Sequence, residues 1–468
     1  MIIFFILVLS LILRIISLNQ SLWLDEAINT LAVKSYSLVD LVTHYAVADF
    51  HPPGWFILLW FWGKVFGYSE IAVRMPSVIF GVLTIWIVYL IGKKLKSREL
   101  GIIAALLLSI NPLHIYYSQE ARMYSLATLA VSINIFLMIK VLKKEKLNLF
   151  LLVLSDIGVL ASDYIAYFLF PAQFVFLLLI RKRELLKKWF IALIAAVLVG
   201  IWWIPTFIAQ LDVGSVASAN LPAWKLINGA FDFKTLPLTF VKFIIGRISL
   251  TDKFLYGAVL LPVCSLFAFL LYSGVKSINN FSKKLLIILI IIPLFIATAI
   301  SLVVPVYSYF RVLFVIPGFI ILVSAGILSF KNRLRYISLG LVILIELFCT
   351  FVYLLNPLYQ REDWRGVVNY LKSMKNSLIL FESSGTLPPF NYYAKGELNA
   401  KGALKDFPAR NDRDVADFTG TNIYLVDYLV QISDPERLVA KKLENLRYKQ
   451  TDIKNFSGVG FIYHYVKQ

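Results

Sequence analysis

Long apolar runs separated by short polar connections fill the chain up to about residue 355. A membrane span needs about 20 apolar residues to cross about 30 Å of hydrocarbon. On this criterion the sequence predicts eleven spans, at residues 2–18, 76–92, 100–117, 123–142, 147–161, 164–180, 190–209, 254–274, 285–304, 312–330 and 337–355. After residue 356 the pattern changes, and it predicts helices at 363–375 and 434–447 and strands at 377–382, 421–427 and 459–466.

This pattern predicts a mainly α fold, a polytopic membrane helical bundle with juxtamembrane helices and a small C-terminal α/β domain. The expected boundary separates a membrane domain at 1–355 from an extracytoplasmic domain at 356–468. Composition agrees, because 59% of the residues are hydrophobic and only 16% are charged. Soluble globular chains carry about 25% charged residues, so a chain that is water-soluble throughout is excluded.

The basic residues orient the predicted bundle. Residues 357–468 hold 16 Lys or Arg and 13 Asp or Glu, so the basic excess belongs to the membrane part. It is concentrated in five connections between spans, at 93–98, 143–146, 181–188, 276–284 and 331–335. With eleven spans and a cytoplasmic N-terminus, all five lie on the cytoplasmic side, as cytoplasmic loops of membrane proteins do. We therefore expect a multi-pass protein of the cytoplasmic membrane, an external C-terminal domain and no nucleic-acid partner.

Two further segments and the cysteines refine this topology. Residues 53–67 are apolar and rich in Trp, but a 15-residue helix reaches only about 22 Å, so an interfacial or re-entrant helix is expected there. In the long loop at 210–253, the stretch 236–248 has an amphipathic pattern. The first four residues include no basic residue, which favours a retained first span over a cleaved signal peptide. Cys264 and Cys349 lie in apolar stretches, which favours neither a disulfide nor a Cys-ligated metal.

Polar residues that can carry chemistry concentrate on the predicted outer side. Asp25 and Glu26 follow the first span directly, and such a pair is either a helix cap or a general base with its supporting acid. His51 precedes two prolines that suit a helix start, and it is either an interfacial histidine or a site residue.

Later connections add acids, cations and tyrosines on the same side. Glu120 and Arg122 form either a structural ion pair or part of a site, and Arg suits bidentate phosphate binding. Arg311, before the tenth span, either snorkels to the interface or serves as a second cation. Tyr124, Asp163, Tyr164 and Arg247 lie at the same level. Two acids, Asp156 and Glu346, lie within spans, where an ionisable residue is a functional candidate by default.

Three motifs together resemble the integral-membrane GT-C glycosyltransferases. They are Leu22-Trp23-Leu24-Asp25-Glu26, then His51-Pro52-Pro53 opening a Trp-rich helix, then Ser118-Gln119-Glu120-Ala121-Arg122-Met123-Tyr124. The sequence is most similar to the family 39 enzymes, the protein O-mannosyltransferases and aminoarabinose transferases. Tyr309-Phe310-Arg311 and Arg361-Glu362-Asp363-Trp364-Arg365-Gly366 are similar to later landmarks of that group, so the resemblance covers most of residues 1–370.

The resemblance implies a function and a set of roles. Such enzymes transfer a sugar, with inversion, from a polyprenyl-phosphate carrier to an acceptor hydroxyl on the outer face of the membrane. It implies that Asp25 is the catalytic base and that Glu26 supports it or contacts substrate. Residues expected to bind substrate or the donor phosphate are His51, Glu120, Arg122, Tyr124, Asp163, Tyr164 and Arg311. At the Asp163-Tyr164 position relatives often have His or Thr before the Tyr, so this pair departs from their pattern.

The expected partners are a polyprenyl-phosphate-linked sugar, the lipid bilayer and an acceptor that is protein, lipid or glycan, as in glycosylation of the cell envelope. A phosphate leaving group needs no metal once arginines neutralise it, so the sequence leaves a divalent metal open and does not require one. The alternatives are a multi-pass transporter or flippase for lipid-linked sugars, which predicts polar residues along the spans, and a non-catalytic membrane scaffold.

Overall fold

A computed structural model describes residues 1–143, 148–220, 229, 232–374, 377–405 and 408–468. Every predicted span coincides with a helix or with consecutive helices. These are Ile2–Ile15, Glu70–Leu95, Arg98–Ile110 with Pro112–Ser118, Tyr124–Leu142, Leu149–Ser162, the 3-10 turn Tyr164–Phe168 with Leu169–Leu179, Arg183–Val199 with Ile201–Trp203 and Ile204–Asn220, Lys253–Ser277, Asn280–Ser301, Leu313–Val315 with Ile316–Ile327, and Asn332–Leu355. The mainly helical architecture expected from the apolar pattern is confirmed.

The helices differ in their capacity to cross a membrane. Among the described residues, five helices are long and apolar enough, and two pairs bent by 63° and 56° can each count as one more. The other four predicted spans, at 2–15, 149–162, 164–179 and 313–327, are apolar helices of 10–17 residues. That these shorter helices cross the membrane stays a prediction.

The connections also contain helices. The first long loop forms Leu24–Ser35, Leu38–Asp40, the π-helical turn Leu41–Tyr45, Ala46–Ala48 and Gly54–Phe66, and the second forms Thr235–Ile245. Gly54–Phe66 has 13 residues, which at 1.5 Å per residue reaches about 20 Å. Its length agrees with the interfacial helix that the Trp-rich segment predicts.

Small residues permit close helix packing in the bundle. A Cβ atom on Gly274 would lie 2.1 Å from the Leu322 carbonyl oxygen, and one on Gly326 would lie 2.0 Å from that of Leu270. The helices Lys253–Ser277 and Ile316–Ile327 therefore approach at backbone distance. Such contacts between small residues are typical of membrane helices, where apolar side chains gain little by leaving an equally apolar lipid.

Basic connections gather at one end of the bundle. Four of the five predicted cytoplasmic connections touch one another there, through Lys143 to Lys94, Lys96 to Ser277, Ser282 to Leu95 and Arg335 to Glu99. Residues 144–146 of the second connection lie outside the described residues. The shared end agrees with the positive-inside reasoning, and the orientation relative to the cell remains a prediction.

The C-terminal domain is built on a five-stranded mixed sheet. Its strands are β1 (Ser377–Phe381), β2 (Ala400–Gly402), β3 (Asn422–Val426), β4 (Tyr448–Phe456) and β5 (Gly460–Lys467), in the order β2-β1-β3-β5-β4. β1 pairs in parallel with β2 and β3, whereas β5 is antiparallel to β3 and β4. The helical segments are Pro357–Tyr359, Trp364–Lys372, Ser384–Thr386, Pro388–Ala394, Asp412–Asp414, Val430–Ser433 and Leu438–Asn445.

Both faces of the central strands are covered. Ile379 and Phe381 of β1 point to one core together with Trp364, while Leu378 and Leu380 point to a second core on the other face. Alternate residues of a strand face opposite sides of the sheet, so a strand covered on both sides is apolar throughout. This explains why residues 377–382 are recognisable as a strand in the sequence.

A buried ion pair fixes the path of the first loop. Arg74 grips the Glu26 carboxylate with two nitrogens, from Nε to Oε1 at 2.9 Å and from Nη2 to Oε2 at 2.5 Å. It also donates to the carbonyl oxygens of Leu18, Gln20 and Ser21 at 2.6–2.9 Å. Because both charged side chains are buried, this one guanidinium holds the exit of the first helix against Glu70–Leu95.

The variant Arg74→Met tests this role, because it leaves the Glu26 carboxylate buried without its cation. We expect a loss of about 3–5 kcal/mol in stability, and a partial recovery in the double variant Glu26→Gln/Arg74→Met. Thermal unfolding of the full-length protein in detergent measures both, and Arg98→Met at an exposed helix start is the control. A double variant no more stable than the single one would show that the unpaired charge is not the cause.

Three acids crowd at the carboxyl ends of two parallel strands. Glu382 follows β1 and Asp427 follows β3, and Asp434 accepts hydrogen bonds from the amides of Leu438 and Val439. Glu382 is 1% exposed. Burial, with Asp434 and Asp427 adding to it, raises the pKa of Glu382 to about 9. The folded domain therefore holds a proton on Glu382 at neutral pH.

This bound proton predicts a pH dependence of stability. The pKa of Glu382 is higher in the folded domain than in the unfolded chain. Its contribution to the free energy of unfolding is therefore complete below about pH 4.5 and is lost as the pH rises towards about 9. We expect Glu382→Gln to stabilise the domain at pH 8 by on the order of 1–3 kcal/mol and to flatten this slope. Hydrogen exchange of the β1 and β3 amides in the full-length protein measures it.

The control for this prediction is Glu436→Gln, which changes an exposed acid of the same domain and should keep the wild-type pH slope. An unchanged slope in Glu382→Gln would contradict the assignment of the proton to Glu382.

Candidate functional site

Asp25 and Arg122 meet at the end of the bundle that contacts the C-terminal domain. Asp25 lies in the first turn of Leu24–Ser35, and its Oδ2 is 3.5 Å from Nη2 of Arg122. The Asp25 side chain is 36% exposed, whereas that of Arg122 is 5% exposed. Ser77 donates to the Arg122 carbonyl oxygen at 3.3 Å and so ties this loop to Glu70–Leu95. An accessible carboxylate thus faces a largely buried cation.

The two neighbouring acids Asp25 and Glu26 have opposite surroundings. Glu26 is fully buried, and besides Arg74 it accepts a hydrogen bond from the Ala121 amide at 2.7 Å. Burial alone would raise the pKa of Glu26, but Arg74 outweighs it and the pKa lies below its ordinary value. Glu26 is therefore a buried, charged structural residue, and Asp25 is the member of the pair that is exposed to solvent.

A break between two helices brings the short external loop that contains Glu120 and Arg122 close to Asp25. Helix Arg98–Ile110 ends at Asn111, whose Oδ1 accepts from the His114 amide, and Pro112 begins Pro112–Ser118 at a bend of 63°. Pro suits the first turn of a helix because its missing N–H would have had no partner there. All seven residues of the bent segment are buried, and it leads directly into Glu120 and Arg122.

Glu120 is paired with a cation that belongs to the start of the C-terminal domain. Arg361 donates from Nη1 to Glu120 Oε2 at 2.7 Å, and both side chains are buried. The Arg361 guanidinium also lies 3.7 Å from the ring centre of Tyr116. Arg247 lies 4.6 Å from the same ring centre, and both arginines donate to the Tyr116 hydroxyl. Two guanidinium groups therefore share one tyrosine.

His51 and Asp163 add a second group of charges. The Nδ1 atom of His51 is 2.5 Å from Oδ1 of Asp49, and the pKa of Asp49 is lowered because His51 and Arg122 outweigh the effect of burial. Burial raises the pKa of Asp163, and His51, Arg311 and Arg122 are the charged neighbours that oppose the rise. These side chains therefore share one electrostatic environment with Arg122.

Aromatic contacts place Arg311 beside this group. Tyr124 meets the Phe310 ring edge-on at 5.3 Å between centroids, and Tyr117 stacks on it at 5.7 Å. Arg311 follows Phe310 and donates to the Pro305 and Val306 carbonyl oxygens at 3.3 and 3.4 Å. The Phe310 packing thus places Arg311 close enough for its charge to act on Asp163 and Tyr124.

The Tyr164 hydroxyl bonds to neutral side chains rather than to these charged groups. Its hydroxyl donates to Gln210 Oε1 at 2.6 Å and accepts from Trp203 Nε1 at 2.7 Å. Gln210 in turn donates to the Ala46 carbonyl oxygen at 2.8 Å. The structure therefore joins Tyr164 to the contact between the first loop and helix Ile204–Asn220, and not directly to Asp25 or Arg122.

The C-terminal domain supplies further groups near Asp25. The Glu362 carboxylate accepts hydrogen bonds from Trp364 Nε1 at 2.7 Å and from the Tyr428 hydroxyl at 2.9 and 3.0 Å. Burial raises the pKa of Glu362 to about 7, and the charge of Asp25 adds to this rise. The domain thus forms part of the wall around Asp25.

Sequence reasoning missed Arg74, Asp49, and the contributions of Arg361 and Glu362. Arg74 had a detectable signal, because it is a lone cation in the first turns of an apolar helix. Arg361 and Glu362 stood in a recognised landmark, but nothing in the sequence indicated that they contact the first two external loops.

The structure gives both acids within spans a partner. Asn134 donates to Asp156 at 2.6 Å and accepts from Gln173, which itself accepts from Trp189. Asn111 donates to Glu346 at 3.1 Å. Within the described ranges, no group of three or more His, Cys, Asp or Glu is placed to hold a metal ion.

Residues 50–208 match a protein family described as Dolichyl-phosphate-mannose-protein mannosyltransferase. The chain is also 28% identical over 191 residues to an uncharacterized protein of Aquifex aeolicus (strain VF5). That match covers 40% of this chain and 38% of the relative, so it spans well under half the length of either protein.

In fold, the chain is similar to ArnT from Cupriavidus metallidurans bound to undecaprenyl phosphate. The TM-score is 0.60 at 12% identity, over 98% of this chain and 97% of that one. It is also similar to the archaeal oligosaccharyltransferase AglB from Archaeoglobus fulgidus in complex with an inhibitory peptide and a dolichol-phosphate. There the TM-score is 0.54 at 13% identity, over 99% of this chain and 73% of that one. The resemblance to GT-C glycosyltransferases indicated by the motifs is therefore confirmed, by the family match over residues 50–208 and by a fold shared over nearly the whole chain.

Proposed function

We propose that this chain transfers a sugar from a polyprenyl-phosphate donor to an acceptor hydroxyl at the outer face of the cytoplasmic membrane, with inversion. In this proposal the N-terminus is cytoplasmic and the C-terminal domain is extracytoplasmic. The observation that carries it is the meeting of the accessible Asp25 carboxylate with Arg122, at 3.5 Å, where the helical bundle meets the domain. The lipid carriers bound to ArnT and AglB support a lipid-linked donor.

Asp25 is the proposed general base. It is the accessible member of the Asp25–Glu26 pair, because Arg74 holds Glu26 inside the protein. A carboxylate that removes the acceptor proton as the sugar bond forms contributes about 10²–10⁴-fold to the rate. In one displacement, attack from the side opposite the leaving phosphate inverts the anomeric centre, so a single accessible base is sufficient.

Arg122 and Arg311 are the proposed ligands of the donor phosphate. Negative charge builds up on the phosphate as the sugar leaves, and fixed guanidinium groups stabilise it without rearrangement during the reaction. His51, Tyr124 and Asp163 lie in the same charged environment and complete the proposed substrate pocket. Glu120 and Tyr164 are proposed to position these groups through their bonds to Arg361 and Gln210.

The transporter alternative receives no support from the residues within the spans. Asp156 is bonded to Asn134 and Glu346 to Asn111, so these polar groups link helices to one another. A transport path for a lipid-linked sugar would instead need polar side chains turned towards a route between the two faces of the membrane.

The variant Asp25→Asn keeps the shape of the side chain and removes its basicity. We expect the rate of sugar transfer to fall about 10²–10⁴-fold with little change in donor affinity. The acceptor is first identified by mass spectrometry of surface glycans in a deletion strain. Release of polyprenyl phosphate from a panel of polyprenyl-phosphate hexoses and pentoses then gives the rate. Asp40→Asn, an exposed acid of the same loop, should keep full activity, and undiminished transfer by Asp25→Asn would refute the base assignment.

Arg122→Ala tests the phosphate site. We expect the Kd for undecaprenyl phosphate to rise at least about tenfold, because one charge-assisted contact is lost. Arg122→Lys keeps the charge but not the planar guanidinium, so its Kd should lie between those of the wild type and Arg122→Ala. Arg413→Ala, in the C-terminal domain, should have the wild-type Kd. An unchanged Kd in a variant with wild-type thermal stability would return Arg122 to a structural role.

A further inference from the structure

A cavity of about 780 Å³ lies between the first external loop and the C-terminal domain. Its walls come from the helices Leu24–Ser35, Trp364–Lys372 and Pro388–Ala394, and from residues 68–70 before helix Glu70–Leu95. Small-molecule sites typically occupy about 300–1,000 Å³. The cavity does not include Asp25, Arg122 or any other residue assigned to the reaction above.

The charge of the cavity is unbalanced in favour of cations. Lys34, Arg365 and Lys395 line it, together with one carboxylate, Glu70. The charge of that carboxylate is paired with Arg365, which lies 2.5 Å from Oε1, and the Tyr393 hydroxyl donates to the same oxygen at 3.1 Å. Lys34 and Lys395 are exposed and form no salt bridge with any described residue. The nearby Glu397, on whose carboxylate Lys395 also acts, is paired with Lys372 at 2.8 Å. Two ammonium groups therefore remain available to an anion.

The remaining polar lining suits hydroxyl groups. Asn369 and Asn391 are exposed on the cavity wall, and their side-chain amides bond to no described residue. Each amide can both donate and accept a hydrogen bond. Tyr392 and Tyr393 form a half-buried pair with ring centroids 4.8 Å apart. Amides and aromatic rings beside cations are the groups that bind a sugar ring bearing a negative charge.

The walls argue against an extended peptide. Such a peptide adds to a sheet edge through main-chain hydrogen bonds and places side chains in apolar pockets. No strand of the sheet lines this cavity, and Leu31 and Val368 are its aliphatic residues. The lining thus favours a ligand recognised by charge and hydroxyl groups.

The cavity is coupled to the Asp25 segment. Helix Leu24–Ser35 contains both Asp25 and, six residues later, Leu31 of the cavity wall, which is about 9 Å along the helix axis. The Tyr393 hydroxyl accepts from the Leu22 amide at 2.8 Å, and the Arg365 amide donates to Ser21 Oγ at 3.2 Å. The cavity wall and the proposed base are therefore joined through one helix and through the contacts at Ser21 and Leu22.

We propose that this cavity binds an anionic saccharide segment of the acceptor, with Lys34 and Lys395 facing its carboxylate or phosphate groups and Asn369 and Asn391 its hydroxyls. Its assignment to the acceptor rests on the proposed transferase function. The binding site itself does not, because its ligand is recognised by side chains that take no part in the transfer.

Direct binding to the full-length protein in nanodiscs tests the proposal. The probes are fluorescein-labelled hexagalacturonate, a phosphorylated mannose oligosaccharide, neutral maltohexaose and an octaglutamate peptide. We expect at least one anionic saccharide to bind at least tenfold more tightly than maltohexaose and octaglutamate, and to weaken as salt is added. Comparison of hexagalacturonate with the phosphorylated mannose oligosaccharide shows whether the cavity prefers carboxylate or phosphate groups.

The decisive variant is Lys34→Gln/Lys395→Asn. Lys395 has a φ of +50°, and Asn tolerates this left-handed conformation better than most residues. We expect anionic saccharide affinity to fall at least tenfold, while Lys401→Gln/Lys449→Gln, two exposed lysines of the same domain outside the cavity, keeps wild-type affinity. Asn369→Ala/Asn391→Ala should weaken saccharide binding severalfold without changing its salt dependence.

Three outcomes would overturn the proposal: no binding of either anionic saccharide, equal binding of octaglutamate, or unchanged affinity in the lysine variant. Undecaprenyl phosphate binding should be unaffected in this variant, since Asp25 and Arg122 are intact. If Asp25→Asn retains transfer while the lysine variant loses saccharide binding, the transferase mechanism fails and the cavity assignment stands.

Discussion

The Arg74–Glu26 pair is the interaction on which the rest of the site depends. A carboxylate with no exposed surface would be prohibitively costly to bury without a cation, and a cation beside it needs every donor satisfied. Arg74 meets both conditions by gripping Glu26 and three carbonyl oxygens at the exit of the first helix. These bonds fix residues 18–21 at the exit of the first helix, and the helix that follows begins with Asp25 facing Arg122. A buried structural pair therefore sets the position of an accessible carboxylate one residue away.

The site is assembled from segments far apart in the sequence. The first loop supplies Asp25 and His51, the bent helix supplies Glu120 and Arg122, and the C-terminal domain supplies Glu362. Three bonds join these segments to one another: Asp25 with Arg122, Glu120 with Arg361, and Glu26 with the Ala121 amide. In the proposed reaction such bonds hold the groups in place before the substrate binds, so little reorganisation is needed when charge develops on the donor phosphate.

Much of the fold follows from apolar periodicity, because spans and fully buried strands are long enough to leave an unambiguous pattern. The three predicted strands and the two predicted helices of the domain are present, with ends shifted by a few residues; residue 375 lies outside the described ranges. The strands β2 and β4 were not predicted. β2 has three residues, and β4 alternates little because most of it is exposed.

Site residues were harder to assign than elements. The motifs identified Asp25 and Arg122 as a candidate pair, and the structure brings them together. Sequence alone could not show which of Asp25 and Glu26 is buried and which is exposed. That difference depends on Arg74, which pairs with Glu26 from 48 positions along the chain. Nor could it show that Tyr164 bonds to Gln210, 46 positions away. Proximity along the chain indicates which residues share a face of the membrane, but the partner of each side chain is set by helix packing.

The Arg361–Glu120 bond has a consequence for how substrates come and go. The Arg361 side chain, near the start of the domain, is buried among the external loops, and Arg365 adds a second bond to Glu70. Moving the domain away would leave Glu120 without the counter-ion that it contacts. These two bonds therefore oppose rotation of the domain away from the external loops. In the proposed transferase reaction, the lipid carrier and the acceptor reach Asp25 beside a domain that stays docked.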